Sequence, residues 1–109
     1  MERLQSHPSI ALWSGNNENE AAVAQNWYGI PADQMPKVKD DYRQLYVSTV
    51  MRAVQEVDKG TNRPFITSSP TNGVESVSEN FIAANPQDPL YGKLSNVILV
   101  LVLAFDGLF

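Results

Sequence analysis

The spacing of apolar residues along the chain predicts two strands joined by a helix. Residues 9–13 form a short, nearly continuous apolar run that a polar cluster ends, which is typical of a strand buried on both faces. Residues 63–70 form a second run of this kind. Between the runs, apolar residues recur at three- and four-residue intervals, which predicts a helix from Asp40, the candidate N-cap, to Gly60. We therefore expect a parallel α/β unit with functional groups on the loops after its strands.

Three further segments have weaker or different patterns. Residues 21–28 predict a helical turn or two, and residues 74–84 predict a helical stretch within a region rich in turn dipeptides. Residues 97–105 are nine consecutive apolar residues without a charge. A membrane-spanning helix needs roughly 20 such residues, so this segment is too short to predict one.

Composition restricts the classes of protein that this chain can represent. It has 109 residues, of which 43% are hydrophobic and 18% charged, which is typical of one small globular domain. The net charge of −4 argues against nucleic acid as a partner. Cysteine is absent, and His7 is the single histidine, with no carboxylates at metal-ligand spacing around it. We therefore expect no disulfide, no metal site and no cofactor.

A cluster of polar side chains follows the first predicted strand, from Ser14 to Glu20. An amide beside a carboxyl group, here Asn17 and Glu18, suits the cleavage of sugars. The amide can bind a ring hydroxyl, while the carboxylic acid protonates the glycosidic oxygen. Spacing alone equally allows a solvated polar loop. The nearby aromatic pair Trp27-Tyr28 either stacks on a sugar ring or packs under the loop.

The residues in and around this cluster resemble the β-mannosidases of glycoside hydrolase family 2, the animal lysosomal enzymes in particular. The likeness extends to about Gly92 and is carried by the motifs Ser6-His7-Pro8-Ser9, Trp13-Ser14-Gly15-Asn16-Asn17-Glu18-Asn19-Glu20, Asn26-Trp27-Tyr28 and Arg63-Pro64-Phe65-Ile66-Thr67-Ser68-Ser69-Pro70-Thr71-Asn72-Gly73.

The resemblance implies a fold and an activity. The fold is an incomplete fragment of a (β/α)8 TIM barrel, with residues 1–93 as a partial barrel segment and residues 94–109 as a divergent hydrophobic tail. The activity is retaining hydrolysis of terminal, non-reducing β-mannose from oligosaccharides in the lysosome. No secretory signal peptide is predicted in this chain, so it would be cytosolic if Met1 is the true start.

The resemblance also implies roles for individual residues. Glu18 matches the acid/base residue, and Asn17 matches the asparagine that binds the substrate 2-hydroxyl. Trp13 and Trp27 are further candidates for substrate binding, although Trp13 is equally well explained as an inward-facing structural residue. We expect Glu20 to be a loop carboxylate without a catalytic role.

A retaining mechanism needs a second carboxylate, the nucleophile, about 5 to 5.5 Å from the first. In the family this glutamate lies on a later barrel strand, and this chain has no match to its motif. Glu75 and Glu79 are expected to be exposed charges. The sequence therefore predicts a truncated piece that carries the acid/base but is inactive by itself.

Two other functions remain open from the sequence. The chain can be a non-catalytic fragment whose open strand edges pair with a full-length homologue. It can also be a short tail-anchored membrane protein that uses residues 97–105. The nine residues of this run are fewer than the roughly 20 that a membrane-spanning helix needs, which argues against a membrane partner.

Overall fold

The computed structural model describes residues 6–86 and 88–90. Short helices and strands alternate along this part of the chain. In order, they are β1 (Trp13–Ser14), α1 (Asn19–Ala24), α2 (Met35–Arg43), a π-helical segment (Gln44–Met51), α3 (Arg52–Val57), β2 (Phe65–Ile66) and α4 (Val74–Ser78). The hydrophobic tail and the membrane anchor considered for it lie outside the described residues.

The two strands pair in parallel, as the sequence predicts. Trp13 lies opposite Phe65 and Ser14 opposite Ile66, and an isolated parallel bridge joins Asn17 to Ser69. Each strand has only two residues, so both are shorter than the predicted runs. Within the described residues the sheet contains these two strands alone.

The helical connection between the strands is continuous from Met35 to Val57 and begins earlier than predicted. The prediction that Asp40 is the N-cap is wrong, because Pro36 occupies the first turn of α2. A proline is tolerated there, since the first N–H groups of a helix have no intrahelical acceptor.

The π-helical segment in the middle of this connection changes which residues face the core. Tyr42 in α2 and Val54 in α3 are buried, although twelve residues separate them. On a regular α-helix they would lie roughly 120° apart. The wider π turn reduces the rotation per residue and therefore reduces this difference in direction. Leu45, which the predicted periodicity assigns to the core, is 49% exposed.

The hydrophobic core lies between α1, α2 and the segment that follows α4. Val23, Tyr42 and Ile82 form its buried centre. Partly buried apolar residues pack around them, namely Ala24, Met35, Val38 and Tyr46. The chain can turn back to this core after α4 because Asn80 and Phe81 adopt left-handed conformations, with φ of 58° and 64°. These two residues also end α4 earlier than predicted.

Candidate active site

The polar segments that follow the two strands lie side by side, as expected for a parallel pair. Backbone hydrogen bonds continue past the strand ends: Ser69 N donates to Asn16 O over 3.1 Å, and Glu18 N donates to Ser69 O over 2.8 Å. The backbone amide of Glu18, the candidate acid/base, thus attaches this residue to the segment after β2.

Asn16 connects the two segments through its side chain. Its Nδ2 donates to Thr67 O over 2.6 Å, and its Oδ1 accepts from Ser68 Oγ over 2.7 Å. The same Oδ1 accepts from Asn19 N over 3.1 Å, which satisfies an amide in the first turn of α1. The sequence analysis assigned no role to Asn16. The signal for one is an asparagine three residues before a helix start, because this side chain commonly accepts from such amides.

Gly15 allows the segments to approach closely. A Cβ atom at this position would lie 2.8 Å from Thr67 O and 3.0 Å from Phe65 Cζ. The first distance is shorter than real Cβ atoms show, and its atom belongs to the backbone; the second is tight and would require the Phe65 ring to shift slightly. Glycine is therefore required here for contact with the second strand, while its backbone conformation is one that other residues also adopt.

Glu18 occupies the N-cap position of α1 in a left-handed conformation, with φ 61° and ψ −2°. Its carbonyl oxygen accepts from Ala22 N over 2.9 Å, while its side chain makes no capping hydrogen bond. The side chains of Glu18 and Asn17 are both exposed. The structure thus holds the backbone of this pair at several points and leaves the two side chains accessible to a ligand.

Trp13 lies in the interior, where it is only 2% exposed. Its Nε1 donates to Asp58 Oδ2 over 2.8 Å, and the Arg63 guanidinium lies 5.9 Å from its ring centroid. Asp58 also forms an ion pair with Arg63 at 3.0 Å. These buried contacts are those of a structural residue that packs in the interior beneath the two polar segments.

The hydrogen bonds to Asp58 affect its protonation. The Thr61 hydroxyl, Trp13 and Arg63 hold the pKa of the Asp58 carboxyl below its usual value, in that order of importance among the stabilising groups, against an opposing effect of burial. Asp58 is therefore ionised at neutral pH.

Trp27 differs from Trp13 in being 49% exposed. Its Nε1 donates to Gln25 Oε1 over 2.8 Å, a contact at the protein surface. The ring faces of Trp27 are thus not enclosed by the core, which leaves the stacking role suggested by the sequence available to this residue.

The expectation that Glu20 is a loop carboxylate is wrong. Glu20 lies in the first turn of α1 and is completely buried. Its Oε1 accepts from Ser76 Oγ over 2.8 Å and from Ala83 N over 3.0 Å. Its Oε2 is buried without a hydrogen-bond partner among the described residues. This burial could not be predicted from the local sequence, because both partners lie more than 50 residues downstream.

Tyr42 lies close enough to this polar layer to be affected by it. Burial raises the pKa of its hydroxyl, and the Glu20 carboxylate acts in the same direction. The polar side chains of Thr67, Asn16 and Ser68 oppose this effect. The hydroxyl itself is buried and makes no hydrogen bond within the described part of the chain.

The other glutamates considered from the sequence are exposed, as expected. Glu75 lies in α4 and Glu79 at its C-cap, where the Glu79 carboxylate accepts from Ala84 N over 3.1 Å.

Among residues 6–86 and 88–90, no three His, Asp or Glu side chains are grouped as a metal site would require. The same residues contain no helix of the length and apolar character needed to cross a bilayer.

Comparison with known proteins identifies a class of enzyme, the glycosidases, and within it the β-mannosidases. The chain is 46% identical over 94 residues to "Beta-mannosidase" of Mus musculus and 48% identical over 94 residues to that of Bos taurus. It is 36% identical over 94 residues to "Probable beta-mannosidase" of Caenorhabditis elegans. Each match covers 86% of this chain and 10% of the relative. No family model matches.

The resemblance to β-mannosidases that the sequence motifs predict is therefore confirmed. The chain spans about a tenth of the length of these curated relatives, so the matched residues correspond to one segment of a larger enzyme.

Proposed function

We propose that this chain is the segment of a retaining β-mannosidase that carries the acid/base residue. Glu18 protonates the glycosidic oxygen, Asn17 binds the 2-hydroxyl of a terminal β-mannose, and Trp27 offers a ring face to the sugar. Trp13 supports these groups from the interior rather than contacting substrate. The substrate class is an oligosaccharide with a non-reducing β-mannose, and the lysosome is the compartment that the family resemblance implies.

The observation that carries this proposal is the accessible Glu18 carboxyl group on a fixed backbone. An acid/base must approach the glycosidic oxygen to hydrogen-bond distance, so its carboxyl group has to be accessible to the substrate. Glu18 meets this condition, since its amide donates to Ser69 O while its carboxyl group is exposed.

The nucleophile belongs to a different segment of the enzyme in this proposal. Glu75 and Glu79 lie at α4, and neither matches the nucleophile motif. The parallel strands and their helical crossover fit two units of a (β/α)8 barrel in family 2, with residues 1–93 as the barrel segment and 94–109 as the divergent tail. The isolated chain is expected to be inactive, and its chemistry needs no cofactor.

A chimeric enzyme tests the proposal. The 94 matched residues of the mouse β-mannosidase are replaced by those of this chain, and hydrolysis of aryl β-mannosides is measured. We expect an active chimera, whereas the purified 109-residue chain should show no turnover. In the chimera, Glu18→Gln should lower kcat on a poor leaving group such as 4-methoxyphenol by about 10²- to 10⁴-fold. A 2,4-dinitrophenyl leaving group needs no proton, so its release should be much less affected.

Two further measurements make the chimera test specific. Azide needs no general base, so it should restore turnover of the Glu18→Gln chimera by attacking the glycosyl-enzyme intermediate. Glu75→Gln serves as the matched control, because it removes an exposed glutamate of the same chain. Equal activity of Glu18→Gln and Glu75→Gln on the 4-methoxyphenyl substrate would contradict the assignment, as would robust hydrolysis by the isolated chain.

The open edges of the two-stranded sheet favour a second candidate function. Within the described residues each strand has a neighbour on one side only, so its other edge offers backbone groups for pairing. In this alternative, the chain is a non-catalytic fragment that associates with a full-length homologue and alters its folding. Co-expression with a full-length β-mannosidase should then give a co-purifying complex with reduced activity. Unchanged activity without association would exclude this function.

A further inference from the structure

We propose that Glu20 is a positioning residue for Glu18, acting through the first turn of α1. The proposal rests on the function proposed for Glu18 and adds a residue to the machinery of that site. Glu20 does not touch the substrate in this role, since it is completely buried. It fixes the helix start from which the exposed acid/base extends.

Glu20 is held at both its backbone and its side chain. Its amide donates to Ser68 Oγ over 3.2 Å, which connects it to the segment after β2. Its Oε1 accepts from Ser76 Oγ and from Ala83 N, which connects it to α4 and to the segment after α4. One residue thus joins α1 to three other parts of the fold.

The Ser76 hydroxyl extends this connection to the turn before α4. Ser76 Oγ accepts from Thr71 Oγ1 over 3.0 Å and from Asn72 N over 3.2 Å. Ser76 and Thr71 are both buried. The position of the Glu20 carboxylate is therefore determined by a network of buried groups and not by a single contact.

The connection from Glu20 to Glu18 is short. The two residues are separated by Asn19, and Ala22 N donates to Glu18 O within the same turn. Glu18 makes no side-chain cap that would hold α1 independently. If the Glu20 carboxylate is lost, the first turn of α1 loses two of its hydrogen bonds, and the direction of Glu18 at its start is held less firmly.

The chemistry of Glu20 is unusual for a residue that only fills space. A buried carboxylate is unfavourable unless it is paired, and none of the ion pairs within the described residues includes it. Its Oε2 also lacks a partner there. An apolar side chain would fill the same volume without this cost, but it would not accept from Ser76 and Ala83.

The first experiment uses the full 109-residue chain and measures amide hydrogen exchange by NMR. Glu20→Leu removes the Oε1 acceptor of both hydrogen bonds and introduces an apolar side chain of similar size. We expect exchange of the Glu18 and Ala22 amides to accelerate by about tenfold or more, while exchange at α3 is unchanged. Glu75→Gln is the control and should leave all of these amides unaffected. Unchanged exchange at Glu18 and Ala22 in Glu20→Leu would overturn the proposal.

The second experiment measures kcat and KM in the chimeric enzyme. A misplaced acid/base slows only steps that need its proton, and a displacement of about 1 Å costs up to 10²-fold. Glu20→Leu should therefore lower kcat/KM, which reports the steps up to departure of the leaving group, by about tenfold to a hundredfold on the 4-methoxyphenyl mannoside. The kcat/KM of the 2,4-dinitrophenyl substrate should be nearly unaffected, because this leaving group needs no proton. Glu20→Gln retains an acceptor oxygen and should restore most of the lost kcat/KM.

Ser76→Ala keeps the inference testable if Glu20→Leu does not fold, because it removes one partner of Glu20 by a small substitution. It should show the same dependence on the leaving group, at a smaller magnitude. A loss of kcat/KM that is equal on both substrates would mean that Glu20 affects only the amount of folded enzyme, which would overturn the proposal. If Glu18→Gln itself shows no such dependence, the function proposed for Glu18 has failed instead.

Discussion

Replacement of Gly15 by alanine should test whether the close approach of the two strands creates the candidate site. The added Cβ would lie 2.8 Å from Thr67 O, a backbone atom that cannot rotate away. Moving Thr67 O also disturbs its 2.6 Å hydrogen bond with Asn16 Nδ2. The strand separation and the anchoring of Asn16 are therefore changed by one methyl group.

The expected destabilisation is the sum of two contributions that lower the free energy of unfolding and one that partly offsets them. Overpacking of this kind typically costs about 1–3 kcal/mol, and weakening a partly buried hydrogen bond costs about 1 kcal/mol. Alanine restricts the unfolded chain more than glycine, which offsets about 0.4–1 kcal/mol. We therefore expect Gly15→Ala to lower the free energy of unfolding by about 2 kcal/mol, which corresponds to a decrease in Tm of roughly 10 °C for a chain of this size.

Urea denaturation followed by tryptophan fluorescence measures this change. Gly29→Ala is the matched control: no atom lies within 4 Å of its added Cβ, but its φ of +62° makes alanine unfavourable by about 1 kcal/mol. The NMR signal of the Asn16 side-chain amide should shift in Gly15→Ala and stay in place in Gly29→Ala. A Gly15→Ala chain as stable as the unsubstituted chain, with an unshifted Asn16 amide, would refute the reasoning.

Two further predictions concern charge and packing. Because the pKa of Asp58 is lowered in the folded chain, chiefly by Thr61, its carboxylate stabilises the fold above its unfolded pKa of about 3.9, and this contribution disappears as the pH falls through the lower folded value. In urea titrations, Asp58→Asn should therefore be less stable than the unsubstituted chain at pH 7, and the two should approach the same stability below about pH 4. A constant difference in the free energy of unfolding across this range would exclude the proposed coupling between Asp58 ionisation and stability. Ile82→Ala should lower the free energy of unfolding by about 2–3 kcal/mol, because Ile82 is in the buried core. The exposed Val77 gives the control, and its alanine variant should change stability by no more than about 0.5 kcal/mol; equal effects at the two positions would contradict this assignment of the core.

The parallel strand pair could be predicted from the sequence because its signals are local. Each strand is a short apolar run followed by polar residues, and the long helical pattern between them leaves enough chain for a crossover. The helix start could not be placed correctly, since Pro36 is compatible with both a loop and a first turn. The choice depends on the packing of Met35 and Val38 against the core, which the local sequence does not contain.

The candidate site was predictable to a different extent at each residue. Asn17 and Glu18 follow directly from the motif after the first strand, and the structure leaves both exposed. Glu20 was not predictable, since its burial depends on Ser76 and Ala83, which fold back from the far end of the described chain. The role of Asn16 lies between these cases, because its local capping pattern was visible while its bonds to Thr67 and Ser68 were not.

The π-helical segment between α2 and α3 has a consequence for changes in chain length. Deleting one residue from Gln44–Met51, for example the exposed Ser48, would leave Tyr42 and Val54 eleven positions apart. Eleven residues of regular α-helix complete almost three full turns, so the two side chains would differ in direction by only about 20°. The shortened chain could therefore form an uninterrupted α-helix with the same buried face. This stretch is thus equivalent to one residue inserted into a regular helix, and we expect the crossover to tolerate the loss of one residue here.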